Sequence, residues 1–286
     1  MLKAERQDLI RKEVLEKGFL TIRELSERIE VSEITIRRDL YELDRAGLVE
    51  RIRGGVQRFN SRDHEPPIIQ RQKDQIDEKR EIAQRALAFI KDGDVIAIQM
   101  GTTTWELARA ISKRSWKDLH IITDGIPIIE ELIKVPGIKI TNIGGTVNAD
   151  ELSNFGVLAE ETLRKLSIPK LFIGCRGIQA EAGMTHTSKS ESEIGTFRAF
   201  GAVSHRIIIL ADHSKIGQTF LMQVLPTSSI DILITTDLAP EKEIQMFKDL
   251  AVEVICVPMS SVRNKDNEIA LVDSKKLDGL LADVSR

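Results

Sequence analysis

The chain has 286 residues, of which 42% are hydrophobic and 30% are charged, and its formal net charge is −3. This size and composition are typical of an ordinary folded protein with one small and one larger domain, and they exclude a disordered or fibrous chain. No apolar run reaches the roughly 18 residues that a membrane span needs, and the N-terminus does not resemble a secretory signal. We therefore expect a cytoplasmic protein that makes no contact with membranes.

The chain contains two cysteines, Cys175 and Cys256, and each lies in an apolar run that resembles a buried strand. This pattern favours buried structural thiols over a disulfide or a metal pair. His186 and His213 lack the spacing of metal ligands, so the sequence predicts ordinary polar residues there and no metal site.

The first 60 residues contain three segments with helical periodicity. Residues 4–17 form the first, and a second runs from Thr21 to Ile29 with Glu24 at the spacing of a capping box. Ser32 is a suitable N-cap for a third helix only two residues further on. Two helices joined by so short a turn predict a helix-turn-helix.

The third helix carries an apolar stripe of Ile36, Leu40 and Leu43, which leaves Arg37 and Arg38 on the exposed side. Arginine binds phosphate or the edge of guanine through two hydrogen bonds, and a helix of this length fits the major groove. An alternative interpretation is that the arginine pair is only a solvated helix face.

A hairpin is predicted directly after this helix, with strands at 48–52 and 56–59 around the turn Arg53-Gly54-Gly55. It forms a wing that carries Arg51 and Arg53 beside the recognition helix. The predicted DNA contacts are Ser32, Thr35, Arg37, Arg38, Tyr41, Arg51 and Arg53.

The charges of this head nearly balance, with 13 Lys and Arg against 12 Asp and Glu in residues 1–60. DNA binding must therefore depend on the local placement of the arginines. Tight binding also requires more than one head, which predicts a homo-oligomer, either a dimer or a tetramer.

The sequence divides into four parts, with residues 1–59 as the DNA-binding head. Residues 60–75 include Pro66-Pro67 and have no periodic pattern, which predicts a linker. Residues 76–258 form the larger domain, and 259–286 extend beyond it with a predicted small amphipathic helix of unknown role.

The larger domain alternates helical segments with short, apolar, β-branched runs. Seven runs are predicted as strands, at residues 95–99, 120–123, 138–143, 171–175, 206–211, 232–236 and 254–257. Such strands imply a mostly parallel sheet that is covered by helices on both faces. The predicted fold is a small α+β winged helix-turn-helix head followed by an α/β, Rossmann-like domain.

Polar residues collect where the predicted strands end, which is the edge at which open parallel sheets bind ligands. Gly101-Thr102-Thr103 opens a helix, whose first amides and hydroxyls could hold an anion, although a simple threonine cap explains the same pattern. Arg176 and Lys215 follow later strands and could hold a phosphate, and a surface salt bridge is an equal alternative for Arg176. The predicted effector contacts are Gly101, Thr102, Thr103, Asp124, Gly144, Gly145, Arg176, Glu191, Asp212 and Lys215.

The chain resembles the DeoR family of bacterial transcriptional regulators from about residue 3 to residue 258. In the head the matching residues are Val31-Ser32, Thr35-Ile36-Arg37-Arg38-Asp39-Leu40, Gly47 and Arg53-Gly54-Gly55. In the larger domain they are Gly101-Thr102-Thr103, Gly144-Gly145, Gly174, Gly177-Ile178, Gly183, Thr185, Glu191, Asp212 and Ser214-Lys215. The resemblance implies a sensor of the ribose-5-phosphate isomerase-like fold that binds phosphorylated sugars, and usually a repressor of a sugar-catabolism operon.

Three positions depart from the family pattern. Gln99 stands where the family commonly has Asp, Asp124 where Asn is common, and Arg176 where a residue is usually acidic or small. Gln99 and Arg176 make the predicted site more positive, and Asp124 partly reverses this, so we expect the ligand to differ from the family's common ones.

The sequence predicts a transcriptional regulator with two partners, a double-stranded DNA operator and a phosphorylated sugar, and no cofactor. A transcriptional activator and a sugar-phosphate isomerase remain as alternatives. An isomerase needs a positioned carboxylate base, for which Glu191 and Asp212 are the candidates. Because Gln99 removes an acid from the site, we predict no catalytic residues and no enzyme activity.

Overall fold

The computed structural model describes residues 2–45, 48–52, 54–58, 66–187 and 191–259. Of the predicted features, Arg53, most of the 259–286 extension and the side chain of Glu191 lie outside what the structure describes.

The head contains three helices and a three-stranded antiparallel sheet. The elements are α1 (Lys3–Lys17), β1 (Phe19–Thr21), α2 (Ile22–Ile29), α3 (Glu33–Arg45), β2 (Val49–Ile52) and β3 (Gly55–Arg58). Strand β3 pairs with both β2 and β1, so the predicted hairpin is confirmed and gains β1 as a third strand. The predicted winged helix-turn-helix is therefore present.

Side-chain caps fix the turn between α2 and α3. Thr21 and Glu24 form the predicted capping box, with the Glu24 amide donating to Thr21 Oγ1 at 3.2 Å and the Thr21 amide donating to Glu24 Oε2 at 2.7 Å. Glu30 ends α2 in a left-handed conformation, with φ of 56°. The hydroxyl of Ser32 then accepts a hydrogen bond from the Thr35 amide at 3.3 Å.

A single apolar core holds the head together. Ile10 of α1, Leu25 of α2, Ile36 and Leu40 of α3 and Val56 of β3 are fully buried in it. The apolar stripe predicted for α3 thus faces the other helices and the wing, which leaves the opposite side of α3 in solvent.

The larger domain contains seven further helices and twelve further strands among the described residues. Its helices are α4 (Ile68–Arg71), α5 (Ile76–Leu87), α6 (Thr102–Ser112), α7 (Ile126–Leu132), α8 (Val157–Leu163), α9 (Glu191–Ala202) and α10 (Glu241–Asp249). Its strands are β4 (Val95–Ile98), β5 (Leu119–Thr123), β6 (Ile138–Asn142), β7 (Thr146–Asn148), β8 (Ser153–Phe155), β9 (Lys170–Gly174), β10 (Gly177–Gln179), β11 (Gly183–His186), β12 (Ile207–Leu210), β13 (Met222–Leu225), β14 (Ile232–Thr236) and β15 (Glu253–Val257).

Seven of these strands form the predicted parallel sheet, in the order β15-β14-β12-β9-β4-β5-β6. Each face of the sheet has its own apolar core. Ile208 of β12 packs into one core with α5 and α6, whereas its neighbours Ile207 and Ile209 pack into the other with α9 and α10. This alternation confirms a sheet that is covered by helices on both faces.

The structure differs from the sequence prediction in the second half of residues 60–75. Ile68 begins α4, its side chain is fully buried, and its amide donates to the carbonyl oxygen of Asp150 at 2.9 Å. Residues from 66 onward therefore pack against the larger domain, so they do not form a free linker.

The prediction of buried thiols is wrong for Cys256, which is exposed, and Cys175 is partly buried. Cys256 lies on β15, an edge strand with one neighbour. Edge strands lack cover on their outer side, so an apolar run there need not be buried.

None of the helices in the described ranges combines the length and the apolar character that are needed to cross a bilayer.

Candidate functional sites

A cavity of about 290 Å³ opens at the carboxyl edge of the parallel sheet, beside the start of α6. Five of the ten predicted effector residues line it, namely Gly101, Thr102, Thr103, Arg176 and Lys215. The structure thus brings together predicted residues that follow β4, β9 and β12.

The start of α6 supplies hydrogen-bond donors to this cavity. Gly101 is the N-cap, and its carbonyl oxygen accepts from the Trp105 amide at 2.8 Å. The amides of Thr102 and Thr103 precede the Trp105 amide, which is the first donor of an intrahelical hydrogen bond, so they are available to a ligand. Together with the positive end of the helix dipole they favour an anion.

Asp124 is not among the cavity-lining residues, and the structure assigns it a supporting position instead of the predicted ligand contact. Its carboxylate is fully buried and accepts from the Met100 amide at 2.7 Å and from Gln99 Nε2 at 3.3 Å. Burial raises the pKa of Asp124 to about 7, and these two hydrogen bonds partly oppose that rise. Asp124 therefore holds the β4–α6 loop in position through its hydrogen bonds to Gln99 and Met100.

Gly144 and Gly145 also lie away from the cavity lining. Gly145 has φ of 114°, and a Cβ atom there would lie 2.5 Å from the carbonyl oxygen of Phe155. Gly145 is thus required by the close approach of the β7–β8 hairpin, whereas Gly144 is favoured only by its φ of 71°.

Asp212 is buried and caps the short 3₁₀ turn His213–Lys215, where it accepts from the Ser214 amide at 3.0 Å. It does not line the cavity, so its predicted role changes from ligand contact to positioning group. By holding this turn, Asp212 places Lys215 at the cavity wall. The Lys215 ammonium makes no hydrogen bond or ion pair within the part of the chain that the structure describes.

The adjacent residue, His213, is tied to the start of α5. Its Nδ1 lies 2.6 Å from Glu78 Oε1, and its amide donates to Glu78 Oε2 at 3.1 Å. Thr236 Oγ1 donates to the same carboxylate at 2.6 Å. Glu78 therefore joins α5 to two strand ends, and His213 has a structural partner, consistent with its prediction as an ordinary polar residue.

Lys79 lines the cavity, and sequence reasoning missed it. It is 2% exposed, and its ammonium donates to the carbonyl oxygen of Arg71 at 2.8 Å. Burial lowers the pKa of Lys79 to about 8, with Asp212 opposing the shift and Lys215 adding to it. A buried ammonium with unused donors is a natural partner for an anion.

Arg71 is a second missed residue of the cavity wall. Its Nη2 lies 2.5 Å from Glu151 Oε2, and its Nε donates to the carbonyl oxygen of Pro66 at 2.7 Å. Pro66 and Glu151 also line the cavity. One wall of the site is therefore built from residues that were assigned to the linker.

The described lining residues carry four cationic side chains, from Arg71, Lys79, Arg176 and Lys215, against the carboxylates of Asp74 and Glu151. The guanidinium of Arg176 also stacks on the ring of Phe220, with 5.2 Å to the ring centroid. His186 lines the cavity too, beside Phe197 at 5.2 Å between ring centroids. An excess of cations beside a helix N-terminus suits a small anionic ligand.

A sequence signal for Lys79 does exist. Glu78 stands four residues before Ile82, and Lys79 stands four residues before Ala83, so a helical projection places both charges on the apolar stripe of α5. Burying a charged residue on a stripe that faces the core lowers the stability of the fold unless the charge has a partner or a ligand. Arg71 offers no comparable signal, because α4 is too short to show a period.

The described DNA-binding candidates lie on the exposed side of the head. Ser32, Arg37, Arg38, Tyr41 and Arg51 are exposed, and Thr35 is partly exposed. Arg37 pairs with Glu33 one turn earlier on α3, at 3.3 Å. The guanidinium of Arg51 lies over the Tyr41 ring, 5.8 Å from its centroid. The recognition helix and the wing therefore present one continuous surface.

Two contacts fix α3 within the head. Asp39 is buried and binds Arg6 of α1 through two hydrogen bonds, at 2.5 and 3.2 Å. Asp44 accepts the backbone amide of Arg51 at 2.9 Å, which joins the helix to the wing. These carboxylates are structural, so the outward arginines remain available to a polyanion.

Two family models match the chain. The model of the DeoR-like helix-turn-helix domain matches residues 6–62, and that of the DeoR C terminal sensor domain matches residues 74–237. The first match falls mainly in the head, and the second falls in the larger domain.

Curated relatives cover most of the chain. A transcriptional repressor named AccR from Agrobacterium fabrum is 32% identical over 81% of this chain and 88% of its own length. The lactose phosphotransferase system repressor of Streptococcus mutans is 30% identical over 82% of this chain and 92% of its own length. A putative aga operon transcriptional repressor from Escherichia coli O157:H7 is 28% identical over 89% of this chain and 94% of its own length.

Among solved structures, ribose 5 phosphate isomerase A from Neisseria gonorrhoeae matches 48% of this chain and 52% of that chain, at 16% identity and a TM-score of 0.36. A similarity this low carries no argument about activity. The extended family matches and the named repressors decide against the isomerase alternative. The chain belongs to the DeoR family and is a DNA-binding transcriptional regulator.

Proposed function

We propose that this regulator represses a sugar-catabolism operon and that a phosphorylated sugar bound in the sensor cavity releases it from DNA. The observation that carries the proposal is the cavity itself, where the first amides of α6 meet Lys79, Arg176 and Lys215. Phosphate is the chemical group that best matches free helix amides together with several cations. A sugar moiety of modest size fits a volume of about 290 Å³.

The names of two relatives support the sugar assignment. One is a repressor of a lactose phosphotransferase system, and another is a putative repressor of an aga operon. Repression is the shared theme of these names, and we extend it to this chain. The departures at Gln99 and Arg176 lead us to propose a ligand other than the family's common ones.

We further propose that α3 enters the major groove and that the wing contacts the adjacent backbone. Arg38 and Arg37 are placed to reach base edges or phosphates, and the hydroxyls of Ser32 and Thr35 are placed to hold the helix in register. Tyr41 and Arg51, with Arg53, complete the proposed contact set. Because one head offers few phosphate contacts, we propose that DNA is bound by a homo-oligomer.

The test is a titration of phosphorylated sugars against operator-bound protein, in which the Lys215→Ala variant is compared with wild type. Loss of a charged hydrogen bond to the ligand should raise the concentration needed for release by at least about tenfold. Operator affinity without ligand should not change, because Lys215 lies in the sensor.

The matched control is Lys165→Ala, which removes an exposed lysine of the same domain away from the cavity. It should respond as wild type does. If Lys215→Ala is released at the wild-type ligand concentration, Lys215 does not bind the effector and the proposed site is wrong.

A further inference from the structure

The cavity wall includes the chain segment that leads out of the head. We define residues 66–71 as the junction segment, of which the last four form α4. Only residues 59–65 separate this segment from the end of the wing, and seven residues span at most about 25 Å. The junction segment is therefore the first described part of the sensor after the head along the chain.

The end of the junction segment is held by groups that also face the cavity, and the Arg71 side chain ties the start of the segment to this end. At its start, the carbonyl oxygen of Pro66 accepts from Arg71 Nε at 2.7 Å. At its end, Arg71 pairs with Glu151, and its carbonyl oxygen accepts from Lys79 at 2.8 Å. Pro66, Arg71, Lys79 and Glu151 all line the cavity.

The middle of the segment is anchored differently. Ile68 is fully buried, and its amide donates to the carbonyl oxygen of Asp150, next to Glu151. The buried side chain of Ile68 thus holds the middle of the segment. The polar contacts of the segment with Lys79 and Glu151 instead face the cavity and any ligand in it. A ligand can therefore change these polar contacts while the apolar contact of Ile68 keeps the sensor folded.

We propose that the junction segment transmits effector occupancy to the head, through contacts of the bound anion with Lys79 and Arg71. The inference rests on the proposed function, because it needs an anion in this cavity. The Lys79 ammonium has three donors and gives one to the Arg71 carbonyl, so the others can hold the anion while that hydrogen bond persists. The bound anion then joins the start of α6 to the junction segment and stiffens it.

Hydrogen–deuterium exchange on the full-length protein tests this directly, with inorganic phosphate as the probe and chloride at matched ionic strength as the reference. Two regions are followed, residues 102–105 at the start of α6 and residues 66–72. In wild type, phosphate should slow exchange in both regions, by at least about threefold at residues 66–72. The amides of Ile68 and Arg71, which bond to Asp150 and Pro67, are the informative ones.

The decisive variant is Arg71→Met, which removes the guanidinium but keeps the carbonyl that Lys79 contacts. Phosphate should still slow exchange at residues 102–105 in this variant, whereas the response at residues 66–72 should be smaller than in wild type, because only the Lys79 contact then links the anion to the segment. The matched control is Arg80→Gln on α5, an exposed arginine that pairs with Asp77 and Glu106 outside the cavity lining. It should respond in both regions as wild type does.

Three results would overturn the inference, and the first two distinguish its failure from the failure of the proposed effector site. Protection at residues 102–105 without any change at residues 66–72 in wild type overturns this inference and leaves the proposed effector site intact. No protection at residues 102–105 overturns the anion site and the inference with it. A response at residues 66–72 that Arg71→Met retains in full also overturns the assigned route, with intact tryptophan fluorescence confirming that the variant is folded.

Discussion

Lys79 illustrates how the charge of one side chain follows from its surroundings. Its ammonium is almost completely removed from solvent, and burial brings its pKa down to about 8. An anionic ligand favours the charged form and so raises this pKa again. Ligand binding is therefore linked to proton uptake at and above about pH 8.

We predict from this linkage that affinity for a phosphorylated sugar is nearly constant just above neutral pH and falls as pH rises through about 8. The fall approaches about tenfold per pH unit once the free sensor has lost the Lys79 proton. Isothermal titration calorimetry across this range measures it. Lys79→Met should abolish the fall, whereas Lys165→Ala should keep it, and a flat wild-type profile would contradict the assignment.

We expect Arg38 to be the most important residue for DNA recognition, because its side chain is exposed on α3. Arg37 pairs with Glu33 four residues earlier, whereas the residue four positions before Arg38 is the uncharged Ile34. We predict that Arg38→Ala weakens operator binding by about 1–3 kcal/mol if the side chain reads a base. Gel-shift affinities for operator and scrambled duplexes measure the loss and its selectivity.

A uniform loss on both duplexes would indicate a phosphate contact, and an unchanged operator affinity would remove Arg38 from the contact set. Arg114→Ala is the control, since this exposed arginine lies after α6 in the sensor. It should leave both affinities unaltered.

At the level of elements, the position of α3 depends on the pair between Asp39 and Arg6. The Asp39 side chain is 2% exposed, and its two hydrogen bonds are a buried polar contact between α3 and α1, beside the more exposed contacts of Glu42 with Lys3 and Gln7. Asparagine keeps the shape but loses the charge. We predict that Asp39→Asn destabilises the head by about 1.5–3 kcal/mol, the usual range for a hydrogen bond to a charged group.

Urea unfolding distinguishes a loss of stability in the head from a loss of stability in the sensor, because tryptophan fluorescence reports only on the sensor. Both tryptophans of the chain, Trp105 and Trp116, lie in the larger domain. Far-ultraviolet circular dichroism follows the helices of both domains. The variant should lose part of its dichroism at lower urea while the tryptophan transition stays in place. Glu33→Gln, which breaks only the exposed pair with Arg37, should change neither transition.

The elements that the sequence predicted well are those whose pattern is dictated by burial. All seven strands of the parallel sheet were predicted, and the five inner strands are largely apolar because helices cover both of their faces. The small antiparallel strands β7, β8, β10, β11 and β13 were missed, since strands of three or four residues are too short to show a clear period. Helix α4 was missed for the same reason.

The candidate site was predictable only in part. Gly101 and Lys215 lie in loops at strand ends, where the topology of a parallel sheet brings ligand contacts together. Asp124 sits in a similar loop, yet its carboxylate bonds to the Met100 amide, and side-chain direction is decided by packing that a sequence does not display. Lys79 reaches the cavity from a helix that is distant in sequence from these loops.

For the whole molecule, the net charge of −3 means that attraction to DNA cannot come from overall charge. It must come from the arginine-bearing face of each head. Arg37, Arg38 and Arg51 supply up to three phosphate contacts per head among the described residues. Each contact contributes about −0.9 to the slope of the logarithm of the association constant against the logarithm of salt concentration.

A single head should therefore show a slope of about −3, and two heads in one complex a slope of about −5 or steeper. Removing one phosphate contact counts the heads directly. We predict that Arg51→Gln reduces the slope by about 2 if two heads bind together and by about 1 if one head binds alone. Fluorescence anisotropy with a labelled operator at several salt concentrations measures both slopes. Arg114→Gln alters the net charge equally but lies in the sensor, so it should leave the slope unchanged. A wild-type slope near −3, reduced by only about 1 in Arg51→Gln, would exclude the proposed binding of DNA by a homo-oligomer.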